Sequence, residues 1–128
     1  MGFTLLLLTG CFSSASFVVD GSTATMTGVI NGRTPERVEA LIRDYPHVTT
    51  ITMLDVPGSM SDESNVAAAR MIREAGLSTH VPAGGEIASG GVDFFCAGVS
   101  RTAESGARFG VHSWAGFGVE GAEVPEDD

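Results

Sequence analysis

The sequence predicts an α/β fold with a largely parallel sheet. Segments rich in β-branched residues, such as 48–56, alternate with segments of helical periodicity, such as 61–75. The order along the chain is hairpin, helix, strand, helix, strand, helix. Strands that alternate with helices form parallel sheets through right-handed crossovers. We therefore expect one α/β domain over residues 17–118.

Composition limits the classes of function. The chain has 128 residues, 43% hydrophobic and 18% charged, which is typical of a single globular domain. A net charge of −9 disfavours nucleic acid as a partner. All the basic side chains are arginine, which excludes a P-loop lysine, a Schiff base and a serine–lysine dyad. Two cysteines do not make a disulfide framework, and three histidines without ligand spacing predict neither a metal nor another cofactor.

The first residues allow two interpretations. An apolar block at 3–8 precedes Thr9-Gly10-Cys11, and this resembles the lipobox of bacterial lipoproteins, in which the cysteine becomes the lipidated first residue. Residues 1–16 would then be a signal and tether, and Cys11 would anchor an exported, periplasmic protein to the cell envelope. The block is too short to span a bilayer and has no basic residue before it. The other interpretation is a buried first strand, or a longer signal that begins upstream.

The next segment predicts a hairpin and a helix. Residues 17–20 and 23–30 alternate like strands around the turn Gly21-Ser22. Thr34 as N-cap and Pro35 at the first helical position start a helix. It must stop before Pro46, because proline disfavours helical geometry in the residue that precedes it.

A strand, a helix and a second strand follow. The β-branched run 48–56 predicts a buried parallel strand. The helix runs from about Ser61 to Ala75, and Gly76 is a fitting stop. Residues 77–81 supply the next strand.

Ser89, at the entrance of an apolar helix and beside Gly90 and Gly91, has two interpretations. Its hydroxyl could cap the helix, since serine is a leading N-cap residue. It could instead be a nucleophile next to backbone amides that stabilise an oxyanion. In parallel sheets, chemistry collects at the carboxyl ends of strands. We therefore expect the glycine loops 56–59 and 83–86 to converge on one side of the sheet.

Three other side chains receive structural roles. Cys96 lies on the apolar helix and is expected to be a buried, inert thiol. His80 lies inside a strand, where a structural or exposed residue is expected. Trp114 could line a substrate groove or belong to the core.

The motifs together resemble the Clp-like serine peptidases of the ClpP/crotonase superfamily, in particular an exported or membrane-associated bacterial branch. The resemblance covers about residues 48–116. It is carried by Pro57-Gly58, Gly84-Gly85, Ala88-Ser89-Gly90-Gly91, Ala97-Gly98, Arg101, Gly110-Val111-His112 and Gly116. It implies repeated β-β-α units, a homo-oligomer and a peptide or protein substrate.

The resemblance also implies the roles of the site residues. Ser89 would be the nucleophile and His112 the general base, and the amides of Gly58 and Gly90 would form the oxyanion hole. The acid of the Clp triad follows the histidine beyond a further helix, whereas here only an acidic segment, 119–128, follows. We expect that segment to be a tail or the start of a missing helix in a truncated domain. Asp93, one helical turn after Ser89, is the alternative orienting acid.

Three functions follow from these residues. The first is a serine hydrolase, in particular a peptidase that forms an acyl-enzyme through Ser89 and His112. The second is a binding or scaffold module that keeps the fold without hydrolysis. The third is a crotonase-type acyl-thioester binder, which uses the paired amides without a serine nucleophile.

Overall fold

The computed structural model of the chain describes residues 13–111 and the backbone of two short strands at 115–116 and 119–120. The strands are β1 (Ser16–Asp20), β2 (Thr23–Thr27), β3 (Thr50–Val56), β4 (Ser78–Val81), β5 (Glu86–Ala88), β6 (Arg101–Ala103), β7 (Arg108–Gly110), β8 (Ala115–Gly116) and β9 (Val119–Glu120). The helices are α1 (Thr34–Asp44), α2 (Asp62–Glu74) and α3 (Gly90–Cys96). The predicted order of elements is confirmed within this part of the chain, except that a short strand that was not predicted, β5, lies between β4 and α3.

Seven of the described strands form one sheet in which most pairs are parallel. β1 and β2 form an antiparallel hairpin. From β2 the parallel order continues through β3, β4 and β6, while β5 pairs in parallel with both β3 and β7. The predicted α/β class with a largely parallel sheet is confirmed.

β4 and β5 pair with the same strand, β3, one after the other along its length. β4 pairs with the first half of β3, with Thr50 opposite Ser78, and β5 pairs with its end, with Val56 opposite Ile87. The residues between them, 82–85, form a turn that interrupts the pairing with β3. β6 and β7 repeat the arrangement against β4 and β5, with a second turn at 104–107. The loop 83–86 therefore does not lie at a carboxyl end of the sheet, and its predicted convergence with 56–59 is wrong.

The core contains the alternate side chains of the strands and one face of each helix. It includes Ala24, Met26, Ile51, Met53, Val38, Leu41, Ala68, Ile72 and Phe94. Phe94 is fully buried, and burying a side chain of that size contributes about 2–3 kcal/mol. This contact holds α3, and with it the turn at Ser89, against the domain.

Helix ends match the predictions with one difference. The Ser61 hydroxyl caps α2 by accepting from the Ser64 amide at 3.2 Å, and Gly76 follows with φ of 77°, as a C-terminal glycine does. α1 ends at Asp44, before Pro46. The Thr34 hydroxyl does not cap α1. It accepts from the Asn31 amide at 2.9 Å, because the chain turns into the helix one residue earlier than predicted.

The residues just before β1 pack against the domain. The Ala15 amide donates to the Val29 carbonyl at 2.8 Å, and the Asn31 side chain donates to the Ser14 hydroxyl at 2.6 Å. Of the predicted signal and tether, residues 1–12, which include Cys11, lie outside the described residues. Within the described part, no helix combines the length and the apolar character that a bilayer crossing requires.

Candidate functional site

Two chain segments meet at one edge of the sheet, and we call them the Gly58 loop (56–59) and the Ser89 turn (88–91). A Cβ added to Gly58 would lie 3.8 Å from the Ser89 Cβ. A Cβ added to Gly90 would overlap the Ser59 Cβ, and one added to Gly91 would lie 2.6 Å from the Val56 carbonyl oxygen. These distances allow only glycine at positions 90 and 91 without movement of the Gly58 loop.

The pairing of the strands explains the meeting. β3 and β5 run in parallel and their last paired residues are Val56 and Ile87, so both strands end at the same edge. That edge is where ligands bind in sheets of this type. The Gly58 loop is held from its other side by β-type hydrogen bonds to Ile30, whose amide donates to the Gly58 carbonyl at 2.9 Å and whose carbonyl accepts from the Met60 amide at 2.8 Å.

The backbone of Ser89 is strained. It has φ of 53° and ψ of −121°, and it is the only described residue other than glycine with a positive φ. The Ser89 amide donates to the Gly110 carbonyl at 2.8 Å, and its carbonyl accepts from the Val92 amide at 2.9 Å. Such a conformation costs on the order of 1–3 kcal/mol and persists only where its surroundings enforce it.

The Ser89 hydroxyl does not cap α3. The helix-cap interpretation is therefore wrong, and the reason is the backbone: an N-cap residue has extended φ and ψ angles, whereas Ser89 turns the other way. The residue is exposed at the edge of the sheet. Strain at an exposed polar side chain is common at functional sites.

Asn65, on α2, holds the Ser89 turn in place through a buried hydrogen bond. Its side-chain amide donates to the Gly90 carbonyl at 2.9 Å, and the residue is buried at 4% exposure. Its Oδ1 is also buried and has no hydrogen-bond partner among the described residues. Sequence reasoning missed this residue. The available signal was an asparagine, a weak helix former, in the middle of a predicted helix.

The structure places the predicted site residues as follows. Ser89, Gly58 and Gly90 come together at one edge. His112 and Trp114 lie outside the described residues, so the pairing of His112 with Ser89 stays a prediction. Asp93 is exposed on α3 and lines an open groove of about 470 Å³ between α2 and α3, together with Asp62 and Arg70.

Two of the structural predictions have clear outcomes. Cys96 is exposed rather than buried, because the helix presents Phe94 to the core and turns Cys96 outward. His80 is structural: its ring contacts the Thr102 hydroxyl at 2.6 Å and the Glu104 carboxylate at 3.0 Å. Hydrogen bonds from His80 and from the Ala83 amide hold the pKa of Glu104 below its ordinary value.

Comparisons with known proteins concern the fold. No protein-family model matches this sequence, and neither does any curated protein. Solved structures do. An enoyl-CoA hydratase/isomerase family member aligns with a TM-score of 0.57 at 12% identity, over 77% of this chain and 50% of that one. An enoyl-CoA hydratase from Polaromonas sp. JS666 aligns with a TM-score of 0.55 at 14% identity, over 76% and 50%.

A methylmalonyl-CoA decarboxylase in complex with 2S-carboxypropyl-CoA aligns with a TM-score of 0.55 at 12% identity, over 80% of this chain and 50% of that one. The chain thus spans about half the length of these structures. At this identity they show a shared fold, and they give no support to a Clp-like peptidase or to an exported branch. The mixed α/β architecture, with its mostly parallel sheet, is the ClpP/crotonase-like fold.

Proposed function

We propose that this chain binds an activated acyl compound, in particular an acyl thioester, and directs its carbonyl oxygen at the amides of Gly58 and Gly90. The observation that carries the proposal is the meeting of the Gly58 loop and the Ser89 turn, in which a Cβ on Gly58 would lie 3.8 Å from the Ser89 Cβ. Similar solved structures of this fold have names that include coenzyme A compounds, which favours a thioester over a peptide.

The chemistry follows from the donors. Two backbone N–H groups that point at one oxygen stabilise the negative charge that develops when a thioester forms an enolate or a tetrahedral intermediate. Removal of one such donor typically lowers turnover by about 10²–10³. Because both segments are fixed by hydrogen bonds to Ile30 and Asn65, the donors need little rearrangement when the ligand arrives.

The test is calorimetry with butyryl-CoA and with free coenzyme A. We expect wild type to bind butyryl-CoA more tightly than coenzyme A. In Gly90→Ala the new Cβ overlaps Ser59, separates the two segments and removes this preference. Gly32→Ala is the matched control, since nothing lies within 4 Å of a Cβ at that position.

The thioester proposal fails if wild type binds both compounds equally, or if a folded Gly90→Ala retains the preference. Should Gly90→Ala not fold, the double variant Ser59→Gly/Gly90→Ala removes the overlapping Cβ. We expect it to fold and to recover the preference at least in part.

A second candidate function is acyl transfer to Ser89, as in a serine peptidase. The observation that favours it is that a serine, rather than a glycine, occupies the strained and exposed position 89. In this mechanism the Ser89 hydroxyl attacks the carbonyl, His112 takes the proton and returns it to the leaving group, and the amides of Gly58 and Gly90 hold the oxyanion. Water then releases the acyl group. Asp93 remains the proposed orienting acid.

A fluorophosphonate probe separates the two candidates. A hydrolase is labelled at Ser89, loses labelling completely in Ser89→Ala, and loses most of it in His112→Ala. An acyl-thioester binder without a nucleophile shows no labelling but retains the butyryl-CoA preference in Ser89→Ala. Attachment through Cys11 and assembly into a homo-oligomer stay predictions beside either function.

A further inference from the structure

The contacts that hold His80 in place join a hydroxyl, an imidazole and a carboxylate in one chain of hydrogen bonds on a solvent-exposed face of the sheet. The Thr102 hydroxyl lies 2.6 Å from His80 Nδ1, and His80 Nε2 lies 3.0 Å from the Glu104 carboxylate. The Ala83 amide also donates to that carboxylate, at 3.3 Å. None of these residues belongs to the Gly58 loop or the Ser89 turn.

The parallel pairing of β4 with β6 brings the three side chains together. His80 lies directly opposite Thr102. Glu104 comes two residues after Thr102, so its side chain projects from the same face, because side chains alternate along an extended chain. The Glu104 amide donates to the Val81 carbonyl at 2.9 Å, which continues the pairing to this residue. The imidazole therefore lies between the hydroxyl and the carboxylate.

The hydrogen bonds of this chain have one direction. Hydrogen bonds from His80 and from the Ala83 amide lower the pKa of Glu104, so its carboxylate is ionised near neutral pH and can only accept. His80 Nε2 then carries the proton, and the other nitrogen of a neutral imidazole is an acceptor. The Thr102 hydroxyl therefore donates to Nδ1. This is the order of groups in a serine triad, with the two ring nitrogens exchanged.

The hydroxyl is accessible, whereas the imidazole is partly covered. Thr102 is exposed, and the His80 side chain is 26% exposed. The residue opposite His80 on its other side, on β3, is Thr52. Hydroxyls rather than apolar side chains thus flank the imidazole across the sheet, and nothing in this row suits a long hydrocarbon chain. A reactant that fits here carries a short acyl group.

We propose that Thr102 is an acyl acceptor, with His80 as its general base, and that it takes a short acyl group from an activated ester or thioester. The Thr102 oxygen forms a bond to the carbonyl carbon and gives its proton to His80 Nδ1. The bond from that carbon to the leaving group breaks, and its electron pair departs with the alkoxide, phenolate or thiolate. His80 then passes the proton to the leaving group or to water. Glu104 is a positioning residue that holds the Nε2 proton and stabilises the imidazolium.

The test is the reaction of the full chain with p-nitrophenyl acetate in the Ser89→Ala background, which removes the other candidate nucleophile. The chain has no lysine, so few amines compete for the acetyl group. Trypsin cleaves after arginine, and mass spectrometry of the peptide 102–108 reports on Thr102. Ser105, an exposed primary hydroxyl in the same peptide, is the internal control. We expect acetylation of Thr102 to exceed that of Ser105 by about tenfold or more, since a general base contributes about 10²–10⁴ in rate.

Three variants in this background test the separate roles. His80→Gln keeps hydrogen-bonding groups but takes no proton, and it should lower the acetylation of Thr102 to the level of Ser105. Glu104→Gln should lower it about tenfold, because an amide does not stabilise the imidazolium. Thr102→Ser keeps a hydroxyl beside the base and should retain acetylation at position 102. Urea denaturation of each variant checks that it is folded.

Two results would overturn the inference. One is equal acetylation of Thr102 and Ser105 while His80 and Glu104 are intact. The other is undiminished acetylation of Thr102 in a folded His80→Gln. Should His80→Gln not fold, Glu104→Gln decides in its place, and undiminished acetylation there contradicts the inference. These measurements do not involve the amides of Gly58 and Gly90, so their outcome is independent of the proposed acyl-thioester site.

Discussion

Two turns each contain a glycine pair, Gly84-Gly85 and Gly90-Gly91, but the two pairs have different roles in this fold. In the Ser89 turn, Gly90 and Gly91 lie against the Gly58 loop so closely that a Cβ would collide with it. In the turn at 82–85, Gly84 has φ of 79° and nothing lies within 4 Å of an added Cβ. A Cβ on Gly85 would lie 2.9 Å from the Pro82 carbonyl oxygen, within the same turn. The Ser89 turn therefore needs glycine for close approach to a separate segment, whereas the turn at 82–85 needs it only for its own local conformation.

The difference comes from where the strand goes next. After Val81 the chain turns and continues along β3 as β5, so the turn at 82–85 only absorbs extra residues. It is closed by its own hydrogen bond from the Gly85 amide to the Pro82 carbonyl at 2.9 Å. After Ala88 the strand ends, and the Ser89 turn meets the end of β3. In this fold, a glycine pair marks the candidate site only where the strand before it ends at the edge of the sheet, and not where the chain continues pairing with the same neighbour.

The largest expected effect is on stability at the close approach. In Gly91→Ala the Cβ would lie 2.6 Å from the backbone oxygen of Val56, which cannot move without disturbing β3. We expect a loss of about 2–3 kcal/mol in the free energy of unfolding, measured by urea denaturation. Gly84→Ala, which meets only the cost of its positive φ, should lose about 1 kcal/mol. Equal losses in the two variants would contradict the distinction between the turns.

A smaller effect is expected from the strain at Ser89. Glycine accepts φ of 53° without steric cost, whereas alanine retains the strain of serine. Ser89→Gly should therefore be more stable than Ser89→Ala by about 1 kcal/mol, measured by urea denaturation of the two variants. This pair of variants separates the backbone conformation from the hydroxyl, which both lack. If the two variants unfold at the same urea concentration, position 89 is not strained.

The smallest effect is expected at Glu104, which lies at the start of the turn at 104–107 and accepts a hydrogen bond from Ala83 in the turn at 82–85. The folded state lowers the pKa of Glu104 through hydrogen bonds from His80 and the Ala83 amide. The carboxylate form is thus favoured by folding, and its contribution is present above the unfolded pKa and is lost as pH falls through the lower folded pKa. Melting temperatures between pH 6 and pH 3 should fall less steeply in Glu104→Gln than in wild type.

Glu39→Gln, at an exposed glutamate on α1, is the control, because it removes one carboxylate and leaves the contacts of Glu104 in place. Neither glutamate lies in the Gly58 loop or the Ser89 turn, so butyryl-CoA binding near neutral pH should be unchanged in both variants. A loss of binding in Glu104→Gln would show that the turn at 82–85 does contribute to the site.

Local patterns predicted the elements well, and long-range pairing explains most of the errors. Ser61, Gly76 and Pro46 each mark a helix end through chemistry within a few residues, and all three predictions were confirmed. The successive pairing of β4 and β5 with β3 depends on which residues of β3 each strand pairs with. No local pattern in the sequence specifies that register.

The site was predicted in part for the same reason. The meeting of Gly58 with Ser89 follows from parallel strands that end together, and the sequence supports that step. The role of Asn65 beneath Gly90 and the exposure of Cys96 depend on how α2 and α3 pack, which the periodicity of either helix does not specify. The partner of Ser89 predicted at His112 lies outside the described residues and stays a prediction.

The central claim is that the amides of Gly58 and Gly90 receive a carbonyl oxygen, and their NMR resonances test it most directly. In a ¹⁵N-labelled chain, addition of butyryl-CoA should shift both amide resonances downfield, while free coenzyme A should not, and the Gly84 resonance should stay in place with either compound. Butyryl-CoA that binds without moving the Gly58 and Gly90 resonances would contradict the account.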